Sequence, residues 1–141
     1  FSTAIGSGSL GSLKTLYLSR NKIGDEGMKA FSNAIASGSL ANLVGLNFRN
    51  NQIGDEGMKA FSTAIASGSL ANLQVLFLGN NRIGNDGMIA LAKALEPDDK
   101  CPMGSLPKLA KVYVGNNPGN GMGVEEACSA RGIETETFVC L

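Results

Sequence analysis

The residues able to do chemistry are few and poorly grouped. No histidine occurs in the chain, so imidazole acid–base catalysis and histidine metal ligation have no carrier within these residues. The three cysteines, Cys101, Cys128 and Cys140, lack metal-site spacing and are too few and scattered for a disulfide framework. Their usage points to reduced thiols in an intracellular protein; a Cys128–Cys140 bridge stays open, because spacing alone cannot test its geometry. Asp98 and Asp99 are adjacent in a loop, a composition that favours a solvated turn over a cation site. The run GNNPGNGMG lacks the GK[ST] ending of a phosphate loop and follows an Asn turn, so it reads as a turn. Asp25/Lys29 and Asp55/Lys59 stand at i, i+4 and read as solvated helix pairs, with docking of a flat partner as the less favoured use. These groups predict no catalytic residue, no metal and no cofactor.

Regularity is the chain's main signal. NKIGDEGMKAFSNAIASGSL at 21–40 returns as NQIGDEGMKAFSTAIASGSL at 51–70. Four segments align: LKTLYLSRNKIG from Leu13, LVGLNFRNNQIG from Leu43, LQVLFLGNNRIG from Leu73 and LAKVYVGNNPGN from Leu109. The shared pattern is L-x-x-L-x-L-x-x-N-x-I, with Val112 and Val114 replacing leucines in the last copy. Alternating side chains in L-x-L point to opposite sides of a strand. Leu16 and Leu18 are therefore expected inside and Tyr17 outside. Asn21, Asn51, Asn81 and Asn117 recur where the chain must turn, and a column of amides there would satisfy the backbone of stacked turns.

A helix should follow each turn. Met58, Phe61 and Ile65 share one helical face. Asp55 and Glu56 suit its N-terminus, and Gly68 is placed to end it in the left-handed conformation. One strand–turn–helix rung buries too little to fold alone, so the rungs must stack. Parallel strands stack about 4.8 Å apart while packed helices need about 8–10 Å, so the stack must curve with its strands on the concave side.

This pattern resembles the leucine-rich repeat, and its long period resembles the ribonuclease-inhibitor-like class. The expected fold is an α/β solenoid, a horseshoe segment with a parallel concave sheet and convex helices. It would form a single domain over residues 1–141, with repeats starting near 13, 43, 73 and 109. FSTAI at 1–5 repeats FSTAI at 61–65, so the chain is expected to begin part-way through a repeat of a longer protein. Extra residues within 95–104 should form a rim loop, with Pro97 and Pro102 opposing a longer helix. Residues from about 120 to 141 should close the stack, with Val124, Ala127 and Cys128 as an apolar stripe and Thr135, Phe138 and Cys140 in the L-x-x-L-x-L positions.

The repeats at 13–42 and 43–72 differ at eight positions: 14, 15, 17, 18, 19, 20, 22 and 33. Seven lie in the strand and turn segment. The outward columns there hold Thr15, Gly45, Val75 and Lys111; then Tyr17, Asn47, Phe77 and Tyr113; then Ser19, Arg49, Gly79 and Gly115. Exposed rings on a rigid sheet suit a protein partner, and arginine is a common anchor. The predicted partner-binding residues are Tyr17, Asn47, Arg49, Phe77, Lys111 and Tyr113. The glycines of the third column would either leave room for the partner or be neutral.

The expected function is a non-enzymatic interaction scaffold, an adaptor or structural subunit of a larger assembly, binding a protein on its concave face. The resemblance also implies two alternatives: a GTPase regulator similar to Ran GTPase-activating proteins, or the sensor portion of an innate-immune receptor. Twelve basic residues balance twelve acidic ones, so no net field draws the chain to nucleic acid. No apolar run is long enough for membrane insertion.

Overall fold

The computed structural model describes residues 12–97 and 104–136. Strands and helices alternate: β1 (Thr15–Tyr17), α1 (Asp25–Ala36), β2 (Gly45–Asn47), α2 (Asp55–Ala66), β3 (Val75–Phe77), α3 (Asn85–Leu95), β4 (Lys111–Tyr113), α4 (Met122–Ser129) and β5 (Glu134–Glu136). The five strands form one parallel sheet in sequential order, with helices neighbouring helices. This is the α/β solenoid expected from the repeats. Among the described residues, no helix is long and apolar enough to cross a membrane.

Each repeated apolar position becomes a column through the core. Leu16, Leu46, Leu76 and Val112 pair in register at the strand centres and are buried. Met28, Met58 and Met88 form the first helical column, and Ile35, Ile65 and Leu95 another. Phe48 stands where the neighbouring strands carry Leu18 and Leu78. Its larger ring is accommodated edge-on between Phe31 and Phe61, with centroids at 5.1 and 6.2 Å, the geometry that aromatic quadrupoles favour.

The predicted asparagine column is present, and Asn51, Asn81 and Asn117 work across rungs. Asn81 Nδ2 donates to Phe48 O of the preceding rung at 2.9 Å and to Leu78 O of its own at 3.0 Å, while its Oδ1 accepts from Ile53 N at 3.1 Å. Asn51 and Asn117 repeat this pattern. Asn21 is exposed, and its side chain donates to Ser19 O. A second column went unnoticed in the sequence. Arg20, Asn50, Asn80 and Asn116 all have φ between 57° and 60°, a left-handed conformation that asparagine tolerates better than most residues.

Two expectations about the helices require correction. Asp25 and Asp55 do not pair with Lys29 and Lys59; the lysines instead meet Glu26 at 3.4 Å and Glu56 at 3.1 Å. Nor do the aspartates simply complement their own helix dipole. Asp25 Oδ1 accepts from Gly54 N and Gly57 N, at 2.7 and 2.9 Å, and Asp55 Oδ1 accepts from Gly84 N and Gly87 N, at 2.8 and 2.7 Å. The N-cap residues Gly54 and Gly84 bring no side-chain cap of their own. Each aspartate thus caps the helix of the following rung. A Cβ on Gly57 or Gly87 would stand 2.7 Å from that carboxylate oxygen, which explains the second glycine of G-D-E-G.

Helix ends behave as predicted at Gly68 (φ 84°), and Gly38 and Gly104 share the conformation. The middle of the 95–104 insertion lies outside the described residues, but its two ends are held together. Arg131 Nη1 donates to Leu95 O at 2.9 Å, and Nη2 donates to Leu106 O. Leu95 ends α3, so the guanidinium satisfies a terminal carbonyl the helix itself leaves open.

The closing strand differs in register from the expectation. Thr135 pairs with Val112, the position assigned to Phe138, so the strand arrives three residues early. The cause is the short return. Helix α4 has 8 residues against 12 in α2, and Gly132 turns (φ 70°) almost directly into β5. Ile133, two residues before Thr135, is buried in the core. Val124, Ala127 and Cys128 are buried as predicted. Burial pushes the Cys128 thiol up to about 11, with Arg131 opposing the shift. Phe138 and Cys140, and so any Cys128–Cys140 bridge, lie outside the described residues.

Candidate protein-binding face

The outward strand columns line a shallow hollow of about 620 Å³ that includes Thr15, Tyr17, Gly45, Arg49, Val75, Phe77, Lys111 and Tyr113. The register places Tyr17, Asn47, Phe77 and Tyr113 side by side. Tyr17 is 70% exposed; Asn47, Arg49, Phe77 and Tyr113 are half-buried, and Lys111 is exposed.

Most of these side chains support one another. Phe77 and Tyr113 stack with centroids 4.9 Å apart and planes 7° from parallel. The Arg49 guanidinium lies over the Phe77 ring, 5.5 Å from its centroid. Tyr113 Oη donates to Glu134 Oε1 at 3.2 Å, and Lys111 Nζ meets Glu134 Oε2 at 3.4 Å. That carboxylate raises the Lys111 ammonium above its ordinary range. The result is a row running across the rungs: guanidinium, phenyl, phenol, carboxylate and ammonium. Holding the rings in place lowers the entropy that a partner would otherwise have to freeze on binding. Sequence reasoning found four members of this row and missed Glu134, because its strand was assigned to the wrong register.

Asn47 and Tyr17 contribute differently. Asn47 Oδ1 accepts from Arg49 N at 2.9 Å, so part of this amide is spent on fixing the strand exit. Tyr17 stands opposite Asn47, on the far side from the row, and remains the most exposed ring. Gly79, read from sequence as neutral or as room for a partner, lies beside the row's own arginine. A Cβ there would lie 3.6 Å from Arg49 Nε and 3.3 Å from Gly115 O. The column Asn21, Asn51, Asn81 and Asn117 stays with the scaffold and contributes hydrogen bonds to backbone.

The helix side offers a smaller depression of about 340 Å³ between α2 and α3, lined by Lys59, Ser62, Thr63, Ala66, Ala90, Lys93 and Ala94. It lacks aromatic side chains. Among the described residues, no group of three or more potential metal ligands clusters anywhere.

Comparison with known families agrees with this architecture. The family described as Leucine Rich repeat matches residues 12–32, 39–62 and 69–92, one stretch in each of the first three rungs. A search of curated proteins found no match.

Proposed function

The chain is a leucine-rich-repeat protein, and from that premise we propose that it is a non-catalytic scaffold that takes a protein partner on its strand face. The observation that carries this reading is the row of Arg49, Phe77 and Tyr113 beside exposed Tyr17, all lining one hollow. Aromatic and arginine side chains ordered before binding are the usual anchors of protein interfaces. The scaffold acts as an adaptor or structural subunit, and its partner buries the rings. Membership of the ribonuclease-inhibitor-like class is supported by the 12-residue helices α1 and α2. The sparse cysteines and the buried Cys128 thiol support an intracellular setting.

A photo-crosslinking residue at Thr15 tests the face against the same residue at Ala66, which is exposed on the helix side. Cross-links from extract proteins should form at position 15 and be lost in a Tyr17→Ala, Phe77→Ala, Tyr113→Ala variant. Cross-links confined to position 66 would move the interface to the helices and end this reading.

A further inference from the structure

The chain's charges balance, but the fold separates them. Residues 13–23, 43–53, 73–83 and 109–119 contain no aspartate or glutamate, and they carry Lys14, Arg20, Lys22, Arg49, Arg82 and Lys111. Every acidic residue belongs instead to a helix, to the insertion or to the closing strand. Lys14, Arg20, Lys22 and Arg82 are exposed. Lys14 precedes β1 in the column of Val44, which lines the hollow. Arg20, Lys22 and Arg82 stand on the turns at the strand exits. Among the described residues, the ion pairs are Lys29–Glu26, Lys59–Glu56 and Lys111–Glu134, and none uses these four. The neutral total therefore conceals a basic strand side over the first three rungs, where a low-dielectric concave wall concentrates the field.

We propose that this face binds an acidic protein segment laid across the first three rungs. Its apolar side chains cover Tyr17 and the Phe77 row, and its carboxylates face Lys14 and the basic turn rim. The inference rests on the scaffold reading above and adds the chemistry of the partner. The spacings fit, since rungs repeat about every 4.8 Å and an extended chain advances about 3.3 Å per residue. A segment crossing the rungs then meets a new one every one to two residues. A single-stranded nucleic acid would also answer to positive charge, but it gains affinity by stacking bases on open rings. Phe77 has Arg49 over it from the β2 side and Tyr113 stacked from the β4 side, so both of its faces are taken. A protein segment needs only the exposed edges.

Short random peptides displayed on phage are panned against the folded chain, and enriched peptides are measured by fluorescence polarisation. The expected winners are acidic and carry apolar side chains. They should weaken about tenfold or more between about 0.05 and 0.5 M salt, and weaken similarly with Lys14→Glu, Arg82→Glu, whose melting curve should match the parent. Neutral or basic winners that are lost in the Tyr17→Ala, Phe77→Ala, Tyr113→Ala variant overturn the acidic partner and leave the scaffold reading standing. Winners whose binding survives that variant overturn both. A mixed-sequence single-stranded DNA oligonucleotide that binds more tightly than the acidic peptides replaces the protein partner with nucleic acid. Failure to enrich any peptide overturns the segment-binding inference.

Discussion

Replacing Asp55 with alanine tests the cross-rung cap. One oxygen of Asp55 receives two backbone N–H groups of the following rung, at 2.8 and 2.7 Å. Hydrogen bonds to a charged acceptor contribute about 1.5–3 kcal/mol each, and they are not additive when they share one atom. Loss of an N-cap alone costs about 0.5–2 kcal/mol. The Gly87 amide is buried, so water replaces the carboxylate poorly. We predict that Asp55→Ala costs about 2–3 kcal/mol, which lowers a urea midpoint by about 1–2 M for a domain of this size. Asp55→Asn should cost less than half of that, because it keeps an acceptor and loses only charge. Asn85 already fills the corresponding place in the third rung, where its Oδ1 accepts from Asn120 N at 2.8 Å. The control is Glu56→Ala, which removes only a surface pair with Lys59 and should cost under about 0.5 kcal/mol. Equal losses for Asp55→Ala and Glu56→Ala in urea unfolding would refute the cross-rung cap.

Four further outcomes follow from the same geometry. Asn81→Ala should cost about 3–4 kcal/mol in urea unfolding, since it strands buried groups on two rungs, whereas Asn21→Ala, at an exposed site, should cost under about 1 kcal/mol. Arg20→Asn should stabilise by about 0.5–1 kcal/mol by thermal melt, because Arg20 holds φ 60° where the other rungs use asparagine. Arg131→Ala should release the insertion ends at Leu95 and Leu106, detectable as faster cleavage between residues 96 and 105 by a trace of protease. Cys128 protonation favours the folded state: unfolding lowers its pKa from about 11 toward 9.0, so stability present below pH 9 declines as pH rises toward 11. Cys128→Ser, measured by urea unfolding across that range, should flatten the decline.

The stacked rungs were legible because each requirement repeats. A leucine inside every strand, an asparagine at every turn and a glycine after a helix appear as columns before any coordinates exist. What escaped reading are contacts whose two ends are far apart in sequence. Asp55 is acidic near a helix start whether it serves its own helix or, as here, one 29 positions later. Local pattern cannot distinguish those partners. The same holds for Arg131, which reaches Leu95 across 36 positions. The first residue of the N-N pair escaped for another reason: its role is conformational, and rung one fills it with Arg20. The register of β5 failed because the sequence was aligned to longer repeats, and the misplaced strand also hid Glu134. Pro118 shows a local substitution propagating. It has no N–H where Gln52 and Arg82 donate to the preceding isoleucine, so Gly119 donates to Ile83 O at 2.8 Å instead. That brings the backbones so close that a Cβ on Gly119 would meet Gly84 at 2.3 Å.

The distribution of differences between the first two repeats gains meaning from exposure. Packing explains identity wherever a side chain is buried against a copy of its own surface, as Phe31 and Phe61 are around Phe48. Packing does not explain why exposed helical positions also match. Glu26 and Glu56, and Ala36 and Ala66, are identical pairs on the surface. If freedom from packing were sufficient for divergence, these would vary as readily as the strand side. Instead, seven of the eight differences fall between positions 14 and 22, and all but Leu18/Phe48 involve side chains or glycines outside the core. Equal exposure with unequal divergence separates the two surfaces physically. The helix side presents the same residues rung after rung, as a spacer can. The strand side presents a sequence of different side chains, which a partner with its own order of side chains can match in only one register.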